Sequence, residues 1–402
     1  MAVEARFVEG YRDDLLPATI PSDVAVHRVS ALDARWTRKL GLGSIALRSM
    51  WQCLRKGNEL LGQGDIDLVY FSTTAFPLPI LGRYWKAKYG VPYVIDMQDP
   101  WHSDFYLGKP KDERPPKHWL SYRMHRYLEP IAMRGVDGLI AVTEAYNEDL
   151  IRRYEGMSPA ACAEIPFGVS ERDYRVVDEH PIPIDFFPRS APDEIRGVYT
   201  GVCNTAMMPT IRAIFEALRN GLQRHPDSFG RIRLYFVGTN YRQDASDVVM
   251  PLAEEYGLER YVFEKPERIS YMGALQMQKD SDFLLLIGTA DAQYTASKLY
   301  PYIFARRPIL AVFNEHSNAV GILEDTGAGE PVTFIGEPDG RLPDRILPVW
   351  TRMLDRMPYE PTTDWTAFEE YTAENMTRKQ VDVFDRVLER NGAERRSGRG
   401  TS

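Results

Sequence analysis

The feature that most constrains the fold of this chain is a regular alternation of short apolar runs with longer helical patterns. The runs are rich in β-branched and aromatic residues, and each ends where a strand would meet a loop. In the first half they are residues 24–29, 67–71, 93–95 and 138–142. Because these runs are apolar throughout, they are typical of strands that are covered on both faces of a parallel sheet. The pattern therefore predicts βαβ units.

The alternation stops at residues 165–193, which hold five prolines and no helical period. It then resumes with runs at residues 196–200, 232–237, 261–263, 283–287, 309–313 and 332–335. A chain of 402 residues is too long for one ordinary domain of about 100–200 residues. We therefore predict an α/β protein with two doubly wound, Rossmann-like domains that face each other across a ligand cleft.

The same pattern gives the expected domain limits. We assign residues 1–170 to the first domain, 171–192 to a linker, 193–360 to the second domain, 361–390 to a closing helical segment and 391–402 to a disordered tail. Residues 3–7 look like the second strand of a doubly wound domain, so we expect the first βα unit to be missing at the N-terminus. Either the domain is a reduced one, or the natural protein starts upstream of Met1.

Charge and cysteine content exclude several classes of function. The formal net charge of -8 argues against nucleic acid as the main partner. Three scattered cysteines, Cys53, Cys162 and Cys203, form neither a disulfide framework nor a metal-binding pair, which favours a reducing compartment. No window approaches the roughly 18–20 apolar residues of a membrane span, and no export signal is visible. We expect a cytoplasmic protein.

The most distinctive segment is residues 295–310, TASKLYPYIFARRPIL. A short polar turn leads into a predicted helix, which ends before the strand ILAVF. Backbone N–H groups at the helix start, with the Ser297 hydroxyl and the Lys298 ammonium, would bind a diphosphate. An ordinary αβ unit with a solvated lysine explains these residues equally well.

Several motifs carry a family resemblance. Residues 297–312, SKLYPYIFARRPILAV, resemble the donor-site helix of bacterial family-4-type glycosyltransferases of the GT-B fold, which commonly reads SKLxEYLAxGxPIL. YVIDMQDPW at 93–101 resembles the DxRDPW strand and loop of that family, and IPFGV at 165–169 resembles its IPNGV turn. Further similar stretches follow in the family's order at residues 138–150, 196–204 and 233–241.

The resemblance implies a transferase that moves a sugar from a nucleotide-diphosphate sugar to an acceptor sugar or lipid-linked glycan. It also implies retention of anomeric configuration, no metal and no cofactor besides the nucleotide-sugar substrate. The first domain would hold the acceptor and the second the donor, in bacterial polysaccharide or glycoconjugate assembly. The implied donor-binding residues are Thr295, Ser297, Lys298, Tyr302, Gly201 and Gly238.

Two departures from the family pattern bear on activity. The family's acidic pair would fall on Gln293 and Pro301, and proline cannot bind the ribose hydroxyls of a donor. The family's arginine and lysine, which follow the first strand of the second domain, have no obvious counterpart. Lys298, Arg306 or Arg307 are the candidates to supply that charge, with Lys298 best placed.

Asp96 and Asp99 end a predicted strand on the cleft side. We interpret them as the candidate catalytic carboxylates, one of which orients or deprotonates the acceptor hydroxyl. The alternative is that one of them caps the following loop or helix, as Asp before Pro often does.

No metal site is predicted. The triplets Asp65-Ile66-Asp67 and Asp280-Ser281-Asp282 resemble metal-binding DxD motifs. Each directly precedes an apolar run and so falls at the amino end of a strand, away from the cleft.

Residues 51–56, 83–88 and 109–126 mix aromatic with basic residues. If these residues share one face of the domain, that face would contact the anionic inner surface of the membrane, where a lipid-linked acceptor is presented. Solvated helix faces explain the same residues.

Two other functions remain open. The departures and the missing first unit suit a GT-B-shaped binding or scaffold protein that has lost transfer. A sugar-nucleotide epimerase is a further alternative, which conversion of a donor without any acceptor would support.

Overall fold

The computed structural model describes residues 1–8, 13–37, 43–104, 107–108, 111, 114, 117–154, 157, 159–189, 191–240, 246–292, 294 and 296–399. The chain divides into two compact units. Unit 1 holds residues 1–9, 23–166 and 374–402, and unit 2 holds residues 10–22 and 167–373.

Unit 1 is built on parallel strands. They are β1 (Ala2–Val3), β2 (Arg28–Val29), β3 (Val69–Ser72), β4 (Tyr93–Met97), β5 (Gly138–Ala141) and β6 (Cys162–Glu164). Strands β3, β4, β5 and β6 form a sheet in that order, and β1 pairs with β2 in a separate ribbon. Where we predicted a strand over residues 24–29, only its last two residues pair. Residues 3–7 give a short strand and then a 3₁₀ turn, because the exposed Ala5–Phe7 segment has no neighbouring strand in the described structure.

Helices cover both faces of the four-stranded sheet of unit 1. They are α1 (Ala34–Thr37), α2 (Ile45–Leu61), α3 (Ile80–Tyr89), α4 (His118–Met133), α5 (Glu144–Arg153) and, at the end of the chain, α15 (Ala373–Arg399). Trp85 of α3 packs parallel to Phe71 of β3, with ring centroids 6.1 Å apart. On the opposite face Val383 and Val387 of α15 pack on Val94. This double cover explains why the strands are apolar on both sides.

Helix α15 extends beyond residue 390, where we expected the helical segment to end. An exposed ion pair between Glu374 and Arg378 supports its first turns, and buried valines anchor its middle. The helix follows unit 2 in sequence but completes unit 1 in space.

Unit 2 contains one six-stranded parallel sheet. Its strands are β7 (Ile195–Thr200), β8 (Ile232–Val237), β9 (Val262–Lys265), β10 (Phe283–Ile287), β11 (Ile309–Asn314) and β12 (Val332–Phe334). They lie in the order β12-β11-β10-β7-β8-β9. This is the doubly wound order of dinucleotide-binding sheets, with its topological switch between β7 and β10. The predicted fold class is confirmed.

The helices of unit 2 enclose this sheet. They are α6 (Glu171–Glu179), α7 (Met208–Arg224), α8 (Pro226–Phe229), α9 (Met250–Glu255), α10 (Tyr271–Asp280), α11 (Leu299–Phe304), α12 (Asn318–Thr326), α13 (Leu342–Arg356) and α14 (Trp365–Phe368). Trp350 of α13 anchors one face, 5.5 Å from the Phe229 ring and 6.0 Å from that of Phe283. All three rings are fully buried, so truncating any of them would cost about 3–5 kcal/mol.

Short 3₁₀ helices join these elements at Ala5–Phe7, Leu16–Thr19, Pro159–Ala161, Thr205–Met207 and Glu369–Tyr371. Within the described ranges, no helix combines the length and the apolar content that crossing a bilayer requires.

Candidate functional site

In unit 2, the carboxyl ends of the two strands at the topological switch bring a glycine and a lysine together. Gly201 follows β7 with a φ of +132°, which L side chains rarely adopt. A Cβ at this position would overlap Cε of Lys298 and lie 2.9 Å from its Nζ. Lys298 comes from the segment between β10 and α11. Because Gly201 has no side chain, the Lys298 ammonium group can lie directly over its backbone. This is the edge where doubly wound sheets bind ligands.

The Lys298 side chain is half-buried, and its Nζ lies 5.2 Å from the centre of the Tyr199 ring. Desolvation lowers the pKa of Lys298, with the charge of Arg268 adding to this effect and Cys203 opposing it. An ammonium group that has lost water and is repelled by a second positive charge gains strongly from an anionic ligand.

Arg268 is a candidate residue that the sequence analysis missed. It follows β9, and its Cα lies 3.7 Å from the position that a Cβ on Gly238 would occupy. Gly238 itself follows β8 with a φ of +72°. Arg268 contributes to the electrostatics of Lys298 across this edge. Arg268 therefore supplies a second positive charge at this edge. The family has its basic residues after the first strand of the second domain, where this sequence has no obvious counterpart.

The remaining predicted donor residues lie along the segment that leads into α11. Ser297 is exposed in the turn before Lys298. Gln293 and Thr295 lie outside the described residues. Helix α11 has six residues, so its dipole adds little to the site. The positive charge at this edge therefore comes from the side chains of Lys298 and Arg268.

Tyr302 of α11 is fully buried beneath this edge. Its hydroxyl accepts a hydrogen bond of 2.8 Å from the backbone N–H of Thr200, the residue before Gly201. Gln278 in turn donates to the Thr200 hydroxyl at 3.1 Å. This hydrogen bond gives Tyr302 a positioning role behind Gly201.

Tyr302→Phe should lower the free energy of unfolding by about 1–3 kcal/mol, because the buried N–H of Thr200 loses its acceptor. Chemical denaturation measures this loss. Tyr84→Phe, at an exposed tyrosine on α3, is the control and should change stability by less than about 0.5 kcal/mol. Equal effects of the two variants would contradict the positioning role.

Pro301 stands where the family has its second glutamate. Its carbonyl oxygen accepts a 2.6 Å hydrogen bond from the Tyr174 hydroxyl, which joins α11 to α6. Pro301 therefore serves the packing of unit 2 and offers no carboxylate to a ribose.

In unit 1, Asp96 lies near the carboxyl end of β4 and is buried. Its Oδ2 accepts hydrogen bonds from Tyr70 at 2.8 Å, Gln98 at 3.0 Å and Ser72 at 3.1 Å. Burial and the Asp96 charge raise the pKa of the Tyr70 phenol, which keeps it a proton donor. A carboxylate with three donors on one oxygen is well suited to fixing the loop around it.

Asp99 follows in the loop after β4 and is exposed. In the described part of the chain, no hydrogen bond to its carboxylate is present, and partial desolvation by the surrounding protein raises its pKa. A free carboxylate of raised basicity is the better candidate for accepting a proton. The two aspartates therefore differ, since Asp96 is held in place and Asp99 is available.

The loop after Asp99 is anchored by Trp101. Its buried indole stacks on Phe76, with ring centroids 5.0 Å apart, and donates a 2.7 Å hydrogen bond to Nδ1 of His125. Desolvation lowers the pKa of His125, which keeps that nitrogen an acceptor. These contacts fix the loop that carries Asp99.

Glu129 of α4 is a buried charge that the amphipathic pattern of the helix did not reveal. It is completely buried and pairs with Arg153 of α5 at 2.9 Å. Desolvation raises the pKa of Glu129 to about 7, although Arg153 opposes the rise. Because folding raises the pKa of Glu129, its protonated carboxyl stabilises the fold, fully so at pH values below the ordinary glutamate pKa. This contribution is lost as pH rises through 7.

Glu129→Gln should therefore become more stable relative to the native chain as pH rises from 4.5 to 8, by up to about 3 kcal/mol. Urea unfolding at several pH values measures the difference. Glu148→Gln, at an exposed glutamate on α5, is the matched control. A difference that stays constant with pH would show that Glu129 does not titrate in this range.

The two acidic triplets lie at amino ends of strands. Asp65 and Asp67 are exposed before β3. Asp282 accepts hydrogen bonds from the Arg189 guanidinium at 2.8 Å and from the Arg196 backbone N–H at 2.8 Å. Within the described residues, no three His, Cys, Asp or Glu side chains gather as metal ligands would.

The fold and the cationic edge define a class of protein. Two α/β units with parallel sheets in one chain, the second of them doubly wound, are the architecture expected of GT-B glycosyltransferases. Residues 7–168 match the family model described as a glycosyl transferase 4-like domain. The predicted family resemblance is confirmed. A search of curated proteins found no significant match.

Two solved structures with TM-scores of 0.50 or more share the fold across most of the chain. The N-terminal domain of trehalose-6-phosphate phosphatase from Candida albicans has a TM-score of 0.51 at 11% identity, covering 90% of this chain and 83% of that one. A UDP-forming trehalose-phosphate synthase from Burkholderia xenovorans has a TM-score of 0.50 at 12% identity, covering 86% and 76%. TarM from S. aureus has a TM-score of 0.47 at 13% identity. The match covers 84% of this chain but only 59% of the length of TarM.

Proposed function

We propose that this protein transfers a sugar from a nucleotide-diphosphate sugar to an acceptor hydroxyl. The observation that carries the proposal is the position of Lys298 over Gly201 at the switch point of the sheet in unit 2, with Arg268 beside Gly238 at the carboxyl end of the neighbouring strand β8. The glycosyl transferase 4-like domain supports the same class of reaction. The proposed transfer retains anomeric configuration and needs no metal.

The proposed chemistry follows from the charges. The bond between the anomeric carbon and the diphosphate breaks, and negative charge develops on the departing phosphate oxygen. Lys298 and Arg268 stabilise that charge, which is the main contribution a protein makes to such a step. The anomeric carbon bonds to the acceptor oxygen, and the acceptor proton passes to Asp99 and then to water.

Asp96 has a supporting role in this proposal. Its three hydrogen bonds join the ends of β3 and β4, so the loop that begins at Gln98 leaves the sheet in a fixed direction. Asp96 is thus a positioning residue, and Asp99 is the carboxylate that contacts the acceptor.

The acceptor is proposed to be a sugar or a lipid-linked glycan, and the protein to work in the cytoplasm, at the inner membrane face where the acceptor is lipid-linked. Exposed aromatic side chains of unit 1 support contact with a membrane surface. Trp51 of α2 is 70% exposed and Trp119 of α4 is 64% exposed. Arg55 and Arg123 lie one turn further along the same helices.

Thermal unfolding with UDP, GDP, ADP and dTDP, and CMP as the control, tests the donor site. A ligand at 100 times its dissociation constant should stabilise the protein by about 2.7 kcal/mol. Incubation with the sugar form of the stabilising nucleotide then tests transfer. If none of the diphosphates stabilised the protein, the proposed donor site would be contradicted and the scaffold alternative favoured. The proline at the family's glutamate position also supports that alternative.

A further inference from the structure

Two side chains of α4 hold the loop that follows β4. Tyr122 and His125 are three residues apart, so they lie on the same side of the helix. Nδ1 of His125 accepts a 2.7 Å hydrogen bond from the indole N–H of Trp101, and the Tyr122 hydroxyl donates one of 2.8 Å to Asp104. The loop that carries Asp99 is therefore bound to α4 at two points after that residue.

The contact between Trp101 and His125 is the nearer of the two to Asp99. Trp101 follows Asp99 by two residues, its indole is buried, and its ring stacks on that of Phe76. The second contact is exposed to water. A hydrogen bond away from water is electrostatically stronger than one in water. The Trp101–His125 contact therefore restricts the position of the Asp99 carboxylate most.

The chemistry of the two rings fixes the protonation state of His125 in this contact. An indole nitrogen can only donate, so Nδ1 of His125 has a free lone pair and the proton of the neutral ring lies on Nε2. An imidazolium ring has a hydrogen on both nitrogens and cannot accept the Trp101 hydrogen. The hydrogen bond therefore exists only while His125 is neutral.

The surroundings of His125 oppose its protonation. Desolvation lowers the pKa of His125, and the charge of His102 in the same loop acts in the same direction. Desolvation also lowers the pKa of His102. Nε2 of His102 is buried and has no hydrogen bond within the described residues. Both imidazoles are therefore neutral at neutral pH, and the pKa of His125 lies below the ordinary histidine value.

The other charged groups around these histidines come from three elements of unit 1. They are Arg126 of α4, Arg153 and Asp149 of α5, and Asp104 of the loop. The arginines lower the pKa of His102 and the aspartates raise it, each by less than desolvation does. Glu129, on the next turn of α4 after His125, is paired with Arg153. Burial therefore dominates the titration of this cluster.

We propose that His125 is a positioning residue for Asp99, which holds the loop through Trp101 when it is neutral and releases the loop when it is protonated. The proposal rests on the role of Asp99 as the base of the proposed transfer. As pH falls, one proton neutralises the Asp99 carboxylate and a second frees the loop that carries it. The loss of activity at acidic pH should therefore be steeper than the titration of one carboxyl group.

The slope of log kcat against pH on the acidic side tests this role. When two groups must lose a proton the slope approaches about 2, whereas one group gives a slope of about 1. We expect the steeper slope in the native protein. His125→Asn keeps an acceptor oxygen on Cγ, where histidine has Nδ1, but it does not titrate. This variant should keep most of the kcat at neutral pH and show the slope of about 1.

His125→Leu removes the acceptor at every pH. Because misplacing a catalytic group by about 1 Å can cost about 100-fold in rate, we expect kcat at neutral pH to fall by about 10–100-fold. The KM for the nucleotide sugar should not change, since the proposed donor site lies in unit 2. His180→Asn, at an exposed histidine that follows α6, is the matched control and should change neither kcat nor the slope. Equal slopes in the native protein and in His125→Asn would overturn the proposal.

The indole N–H signal of Trp101 in nuclear magnetic resonance tests the contact without any transfer. Trp101→Phe identifies this signal among those of the seven tryptophans. On acidification the proton signal should move upfield in the native protein, because the hydrogen bond is lost, and should stay in place in His125→Asn. A native signal that did not move with pH would overturn the proposal. A native signal that moved as expected, in a protein without transfer activity, would contradict the proposed function alone.

Discussion

Lys298→Ala should weaken the binding of a nucleoside diphosphate by about 10–100-fold, because a charge-assisted hydrogen bond to phosphate contributes about 1.5–3 kcal/mol. The transfer rate should fall further, by about 100–1000-fold, since negative charge on the diphosphate increases in the transition state. Calorimetric titration measures the first effect and steady-state kinetics the second.

The stability of the variant separates a local from a global effect. Desolvation lowers the pKa of Lys298 in the unliganded protein, so its removal should not lower the free energy of unfolding. Lys279→Ala is the matched control, because this lysine of α10 pairs with Asp178 away from the carboxyl edge. If Lys298→Ala bound the nucleotide as tightly as the control does, the donor site would lie elsewhere.

Asp99→Asn should lower kcat by about 100–10,000-fold, the usual contribution of a general base. The melting temperature should change little, since the carboxylate is exposed and makes no hydrogen bond to the described residues. Because desolvation raises its pKa, activity of the native enzyme should fall as pH decreases through a value above that of a free aspartic acid. The pH dependence of kcat measures this decrease at acidic pH.

Two further variants sharpen this test. Asp67→Asn, at an exposed aspartate on the amino side of β3, should leave kcat unchanged. Asp96→Asn should reduce stability, because the buried hydrogen bonds from Tyr70 and Ser72 lose a charged acceptor. Full activity of Asp99→Asn, with the acid limb retained, would exclude Asp99 as the base.

The sequence predicted the sheets well because their strands are covered on both faces. The run at 283–287, for example, is β10 with the same limits, and all five side chains are buried. The prediction failed at residues 24–29, where only Arg28 and Val29 pair. Apolar composition identifies a strand only where neighbouring strands complete its ladder, and within the described residues β2 pairs with β1 alone.

The site was harder to predict because its parts come from distant segments. The motif around Lys298 identified the lysine, but its position over Gly201 depends on how α11 packs against β7. Arg268 carries no local signal and becomes a candidate only because β8 and β9 are neighbours. The hydrogen bond from the Thr200 N–H to the Tyr302 hydroxyl also could not be predicted from the motif, because it depends on the packing of α11 beneath β7.

The return of α15 to unit 1 has a consequence for how the protein is made. One face of the first sheet stays uncovered at Val94 and Ile140 until Val383 and Val387 have been synthesised. The chain must therefore leave the ribosome as far as Val387 before the N-terminal unit completes its core, whereas unit 2 has its last contributing residue, Ala373, earlier. Domains commonly finish in order of synthesis, and here the order is reversed. A premature stop near residue 372 would damage the N-terminal unit most.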